Sequence, residues 1–334
     1  MLAAIDKRVT VTSTLTDKAI IKIKSVLGTL EVPTYVSYQE VKSEFRPFVY
    51  LAKKMINSTE WKNAKPAKGL EIEINSDIPV GVGLGSSSAC CVATTASIYG
   101  LVESDCNPNV SSWQFKKLSP EELVEISIEA EKTIFPDTSG ADCAVCTYGG
   151  MIVYDKINGV EKIEDARWSQ KEIWSGDEDN NMHTTGLNFI IANSMTPHST
   201  KRSVDKVKKF KEIHEEDFSN WCQYVTNIIN DLLYNMDKDA DDWERMPFGF
   251  ELQETMLENR FLLGHLPISN KTIDSMISSL VSSAALTSAK ITGAGDGGCI
   301  IVLTEDIERD LTKARGVLGK DKECFSAKID TKGV

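Results

Sequence analysis

No apolar run in this sequence approaches the ~20 residues that a membrane-spanning helix needs. The first residues, Met1-Leu2-Ala3-Ala4-Ile5-Asp6-Lys7, are too short and too soon charged for a signal peptide. A soluble, cytoplasmic protein is expected. Positive charge is also in deficit: 37 Lys and Arg stand against 49 Asp and Glu, for a net charge of -12. That argues against sequence-independent nucleic-acid binding and against docking on anionic membranes, since both need a basic surface. No nucleic-acid partner and no membrane partner are expected. A phosphate ligand would have to be drawn in locally, by backbone N–H groups, a helix N-terminus or a metal.

Histidine is scarce. His183, His198, His214 and His265 are the four present, and none has a second metal ligand at ligating distance in sequence. No Ser-His-Asp set can be assembled. Eight cysteines are too few for a disulfide scaffold in a chain of 334 residues. Cys143 and Cys146 form a C-x-x-C, but the second pair of a zinc site is missing. Free, buried thiols are the better reading. Asp237-Lys238-Asp239-Ala240-Asp241 imitates the start of a calcium loop. It fails, because Asp242 takes the glycine position and Phe248 the position of the bidentate glutamate. Internal repeats and low-complexity tracts are absent.

With hydrophobic residues at 41%, the length suffices for two cores. Strands are predicted from Arg8, over Ala19–Lys24 and over the strictly alternating Leu70–Asn75. A helix is predicted over Phe48–Ile56. A run of small residues, Ala89 to Tyr99, reads as a buried helix ending at Gly100. Ser119-Pro120-Glu121-Glu122 is a capping box with proline at the first helical position, opening a helix to about Ile134. Met151–Tyr154 is a further strand. The polar stretch Ser175–Asn181 marks a boundary, giving domains 1–182 and 183–334. The second half continues with a strand at Leu187–Ala192 and helical patterns over Lys201–Met236 (interrupted), Phe250–Leu263 and Lys271–Ser288. A strand at Cys299–Leu303, a helix at Glu305–Arg315 and a strand at Cys324–Ile329 finish the chain. The mixture is α+β.

Two glycine-rich loops stand out. The first, Gly81-Val82-Gly83-Leu84-Gly85-Ser86-Ser87-Ser88, is no Walker loop, because no Gly-Lys-Ser/Thr follows. It is no dinucleotide fingerprint either, because its third glycine falls one residue early. Its glycines still let backbone approach a ligand closely, and the helix behind it turns free N–H groups toward the loop. A plain strand-to-helix turn with serine caps is the competing reading. The second, Thr292-Gly293-Ala294-Gly295-Asp296-Gly297-Gly298, contains G-x-G-x-x-G, but a helix precedes it and a strand follows. That is the wrong order for a dinucleotide site. So many small residues leave a flat backbone surface, suited to a triphosphate or to packing on the first loop.

Two carboxylates lie near the first loop in sequence. Glu131 falls about 80° from the centre of its helix's apolar stripe, at the border of the buried side. There a carboxylate needs a partner, and Mg²⁺ and a lysine fit equally well. Asp142 has small and apolar neighbours in Ser139-Gly140-Ala141-Asp142-Cys143-Ala144-Val145 and reads as a carboxylate held in a site.

Pro79-x-Gly81-x-Gly83-Leu84-Gly85-Ser86-Ser87 resembles the second motif of the GHMP kinases. Lys290-Ile291-Thr292-Gly293-Ala294-Gly295-Asp296-Gly297-Gly298-Cys299 resembles their third. Ser139-Gly140-Ala141-Asp142-x-Ala144-Val145-x-Thr147-x-Gly149-Gly150 and Gly264-His265 are most similar to the mevalonate-phosphorylating branch. The resemblance covers nearly the whole chain. It implies an N-terminal ribosomal-protein-like β-α-β domain and a C-terminal ferredoxin-like domain. ATP and Mg²⁺ are the implied cofactors, with mevalonate as acceptor, and a homodimer is expected. Gly81, Gly83, Leu84, Gly85, Ser86, Ser87, Ser88, Gly293, Ala294 and Gly295 would hold the nucleotide. Ser87 and Glu131 would bind Mg²⁺. Asp142 would take the proton of the substrate hydroxyl, with Ser139 and Thr200 near the acceptor.

The chain departs from that family in three places. The family's opening strand and Pro-Gly-Lys…Gly-Glu-His motif have no counterpart here, so one sheet edge is expected to be exposed. Phe135-Pro136-Asp137-Thr138 replaces the family's His-Gly-Asn-Pro, and Asp296 replaces a glycine. Other GHMP acceptors, such as phosphomevalonate or homoserine, and a non-catalytic binding role are the alternative readings.

Overall fold

In the computed structural model the described residues are 1–58, 68–105, 118–163, 187–197, 199–237 and 248–334. They form two compact units. The first comprises Leu2–Ile78, Gly85–Lys162 and Asp330–Val334; the second comprises Met1, Pro79–Leu84 and Ile163–Ile329. The boundary expected at 182/183 and the polar stretch that suggested it lie outside the described residues, as do residues 238–247 of the calcium-loop look-alike.

The first unit is built on a four-stranded sheet. Its strands are β2 (Val9–Thr16), β3 (Ile20–Ser25), β4 (Gly28–Pro33) and β5 (Gly69–Ser76), in the order β2-β5-β3-β4. β3 and β5 are parallel and the other pairs antiparallel. Alternation in β5 turns Leu70, Ile72 and Ile74 inward, where they meet Ile21 and Ile23. Against this face lies α1 (Arg46–Ile56), which buries Phe48, Val49, Leu51, Ala52 and Met55. These residues join Cys91, Ile98 and Ala130 in one core. α2 (Ser86–Asp105) follows the first glycine-rich loop. It runs five residues past the expected stop at Gly100. One solvent-facing glycine costs a helix only about 1 kcal/mol against alanine, which flanking packing outweighs. α3 (Pro120–Glu131) begins at the predicted capping box, with both reciprocal hydrogen bonds formed from Ser119 and Glu122. It ends at Glu131, a few residues short of the expected Ile134.

A short helix that sequence periodicity did not indicate, α4 (Ala141–Tyr148), follows Gly140. β6 (Met151–Asp155) then pairs with β1 (Leu2–Ala3) and with β7 (Gly159–Ile163). The chain's last residues return to this unit. The Gly150 N–H donates to the Asp330 carbonyl at 2.7 Å, and the Val334 N–H donates to the Thr147 carbonyl at 3.2 Å. Arg8 pairs with the Asp330 carboxylate.

The second unit carries an antiparallel sheet in the order β11-β8-β10-β9. Its strands are β8 (Asn188–Asn193), β9 (Lys290–Ile291), β10 (Cys299–Thr304) and β11 (Glu323–Lys328). β8 is buried along its whole length. Ile190, Ala192, Ile300 and Val302 form a core with Ile273, Met276, Leu280 and Ala314. The last four come from α8 (Lys271–Ala284) and α9 (Ile307–Leu318). α5 (Thr200–Ile213), α6 (Glu215–Asp237) and α7 (Phe248–Gly264) complete the unit. The interruption read between Lys201 and Met236 falls at His214. α8 stops at Ala284, before the expected Ser288, because Ala285 turns into the left-handed region. No helix among the described residues is long and apolar enough to cross a membrane. Seven cysteines are described, all of them free, and Cys91, Cys143, Cys299 and Cys324 are buried.

Candidate active site

The first loop leaves β5 through Pro79 and enters α2 at Ser86. Gly81, Gly83 and Gly85 have φ of +71°, +78° and +69°. A side chain there costs about 1–2 kcal/mol, so alternating glycine follows from backbone shape. The helix starts directly at the serines. The N–H groups of Ser86, Ser87 and Ser88 have no preceding turn to bond, and the Ala89 N–H is the first to close, onto the Gly85 carbonyl at 3.0 Å. Donors at the positive end of a 20-residue helix are suited to holding an anion.

Within the first unit, the end of α3 brings a carboxylate beneath this helix start. Glu131 is buried at 4% exposure. Among the described residues its side-chain partners are two hydroxyls and a thiol. Ser88 donates to Oε1, Thr138 donates to Oε2 at 2.6 Å, and the Cys143 thiol lies 3.7 Å from Oε2. A carboxylate has about four lone-pair positions, so it can accept further partners. Burial and the Glu131 charge push the Cys143 thiol far above its usual range, which leaves it protonated and inert as a nucleophile.

Asp142 sits in the first turn of α4. Gly140, at φ +85°, makes the turn before it. The Tyr154 hydroxyl fixes the preceding loop by donating to the Ser139 carbonyl at 2.6 Å. The Ala141 N–H also donates to Ser139 Oγ at 3.2 Å. A Cβ placed on Gly85 would lie 3.5 Å from the Asp142 carboxyl, so this acid faces the end of the first loop. Asp142 is solvent-accessible. The protein around it, and then the Glu131 charge, raise its pKa from 3.8 to about 6. Access to solvent tempers the burial contribution, while among the described residues no cation pairs with either acid to oppose their repulsion.

Within the second unit, the second loop packs on the first. A Cβ on Gly293 would come 2.5 Å from the Gly83 carbonyl oxygen. The Cys299 N–H donates to the Val82 carbonyl at 3.0 Å. Gly295, Gly297 and Gly298 also have positive φ. Gly81, Gly83, Gly293, Ala294 and Gly295 are thus gathered in one unit. Thr200 is exposed as the first residue of α5. That helix touches the loop through the Ser203 hydroxyl, which donates to the Gly295 carbonyl at 3.3 Å.

Residues 48–150 match the family described as GHMP kinases N terminal domain, and residues 250–317 match GHMP kinases C terminal. The chain belongs to the GHMP kinases. Among curated relatives, the mevalonate kinase of Pyrococcus abyssi is 25% identical over 95% of this chain and 85% of its own length. That of Dictyostelium discoideum is 26% identical over 72% of this chain. The match spans 59% of that relative, less than two thirds of its length. Among solved structures, the Methanococcus jannaschii mevalonate kinase superposes with a TM-score of 0.69 at 21% identity, covering 98% of this chain and 90% of that one. L. major mevalonate kinase in complex with R-mevalonate gives 0.69 at 16% identity over 99% and 89%. The two-domain GHMP kinase fold expected from the motifs is therefore present.

In this GHMP kinase, sequence reading missed three features of the site. Ser88 and Thr138 bond Glu131. Lys206 binds Asp296 in the second loop. The serines sit where helical phase decides which hydroxyl points inward, and that phase depends on where the helix starts. Thr138 follows Glu131 by seven residues and Lys206 precedes Asp296 by 90, and neither pairing has a periodic signal in the sequence.

Proposed function

We propose that this chain transfers the γ-phosphoryl group of ATP to the 5-hydroxyl of mevalonate. The observation that carries the reading is Asp142 at the end of the first loop, its pKa raised by the protein around it and then by Glu131. At neutral pH such an acid is ionised, yet it holds a proton more readily than an ordinary aspartate. It is therefore matched to accepting the proton of the attacking hydroxyl. Ser86, Ser87 and Ser88 would offer N–H groups to phosphate oxygens, and Gly293, Ala294 and Gly295 would give a close backbone surface. Ser139 and Thr200 are assigned to the acceptor. In phosphoryl transfer, positioning and charge neutralisation supply most of the rate.

Mg²⁺ suits the residues present. Ser87 and Glu131 are hard oxygen donors, and the Glu131–Asp142 repulsion would be relieved by a cation. Among the described residues no three His, Cys, Asp or Glu side chains cluster as a full metal cage. Mg²⁺ itself commonly takes one or two protein ligands and fills the rest with phosphate and water. When bound, it would neutralise charge on the phosphates. A homodimer and a cytoplasmic location belong to the same proposal.

The test is mevalonate-dependent ADP release, with Asp142→Asn as the blank and homoserine, phosphomevalonate and galactose as competing acceptors. Loss of about 10²–10⁴-fold in the variant is expected for removal of a general base. Equal rates in the two proteins would remove Asp142 from the chemistry. Faster turnover of another acceptor would move the substrate within the family, an outcome that the altered Phe135–Thr138 segment makes worth measuring.

A further inference from the structure

A carboxylate inside a loop that holds a polyanion opposes the loop's task. Asp296 is such a carboxylate, and nothing about the turn relieves the anomaly. It adopts φ +62°, a conformation that disfavours side chains, among glycines that adopt it freely. Its side chain is only 14% exposed. Its own N–H is committed to the Ile268 carbonyl.

The compensation lies on α5. Lys206 Nζ donates to Asp296 Oδ2 at 2.7 Å, and Arg202 Nε stands 3.8 Å from the same oxygen. Arg202 is 73% exposed and Lys206 31%, so Lys206 is the stronger partner. Arg202 and Lys206 are four residues apart and share a helix face with Ser203, whose hydroxyl holds the Gly295 carbonyl. One face of α5 therefore both fastens the loop and cancels its charge. All of these contacts lie within the second unit.

We propose that Lys206 sets nucleotide affinity by neutralising Asp296, with Arg202 as a weaker second cation. The proposal rests on the reading that the second loop holds phosphate. Lys206 is a positioning residue in this scheme. Its ammonium is occupied by Asp296 and need not touch the ligand. Without it, a half-buried negative charge stands within a Debye length of the bound phosphates and repels them.

The experiment is ATP binding by titration calorimetry on the full chain and on Lys206→Met, Lys206→Arg, Asp296→Gly and the Lys206→Met/Asp296→Gly double variant. Lys206→Met is expected to weaken binding about tenfold, and Lys206→Arg to bind within about twofold of the wild type because the charge is kept. The double variant should recover to within about twofold of Asp296→Gly alone, because the charge needing neutralisation is gone. A double variant as weak as Lys206→Met would make Lys206 a direct phosphate ligand and overturn the proposal. Unchanged binding in Lys206→Met would overturn it as well. No ATP binding by the wild-type chain would instead overturn the reading of the loop itself, and the proposal with it.

Discussion

The two glycine-rich loops look alike as sequence and use glycine for different reasons. In the first, a Cβ on Gly81 would meet nothing within 4 Å, and one on Gly85 would make only ordinary contact with Asp142. Glycine is needed there for its φ alone. In the second, a Cβ on Gly293 would strike the Gly83 backbone, and one on Gly295 would come 2.4 Å from the Ile268 carbonyl oxygen. Glycine is needed there because other backbone occupies the space. The first loop is open and ends in a helix that offers free donors; the second is a packed brace. The same residue type thus answers a backbone conformation in one place and a close backbone contact in the other.

The largest separation between the loops should come from Gly293→Ala. It combines a backbone clash with positive φ, and backbone has no rotamer to yield. A loss of about 3 kcal/mol or more is expected, read as a lower urea midpoint, with the loss of ATP binding that a displaced brace would cause. Gly81→Ala carries the φ penalty only and should cost about 1–2 kcal/mol. If the two variants lose equal stability, the distinction between open loop and brace fails.

How much of this was legible depended on whether the signal was local. The capping box at Ser119 and the alternation of Leu70–Asn75 are decided within a few residues, and both elements stand where they were read. α4 was not readable. It spans eight residues, starts from a left-handed glycine and has no apolar period long enough to recognise. The parallel pairing of β3 with β5, and the return of Asp330–Val334 to the first unit, join segments far apart in sequence. In the site, the sequence singled out Glu131 and Asp142, and the structure sets Glu131 against Ser88 of α2 and Asp142 against the end of the first loop. Their surroundings were not readable, because Ser88 and Thr138 approach Glu131 from two other elements. Sequence read Asp142 as a carboxylate held in a site; its access to solvent was not legible.

The smallest predicted effect concerns that open acid and the kind of stress each loop bears. In the second loop the unfavourable charge of Asp296 is cancelled by Lys206. At the end of the first loop no cation among the described residues cancels the Asp142 charge beside Glu131. Its pKa is about 6 in the folded chain and 3.8 as an ordinary aspartate. The folded state therefore binds this proton more tightly than the unfolded state. Below about pH 4 the group is protonated in both states and costs nothing. As pH rises through 4 to 6 the unfolded chain releases the proton first, folding loses stability, and above about pH 6 the loss is complete. Asp142→Asn removes the titration. The variant should match the wild type near pH 4 and melt higher than it near pH 8, by a margin that solvent access to the carboxyl keeps modest. A variant that melts lower at both pH values would show Asp142 to be stabilising. The uncancelled charge would then not be the first loop's distinguishing feature, and the contrast with the neutralised Asp296 would be lost.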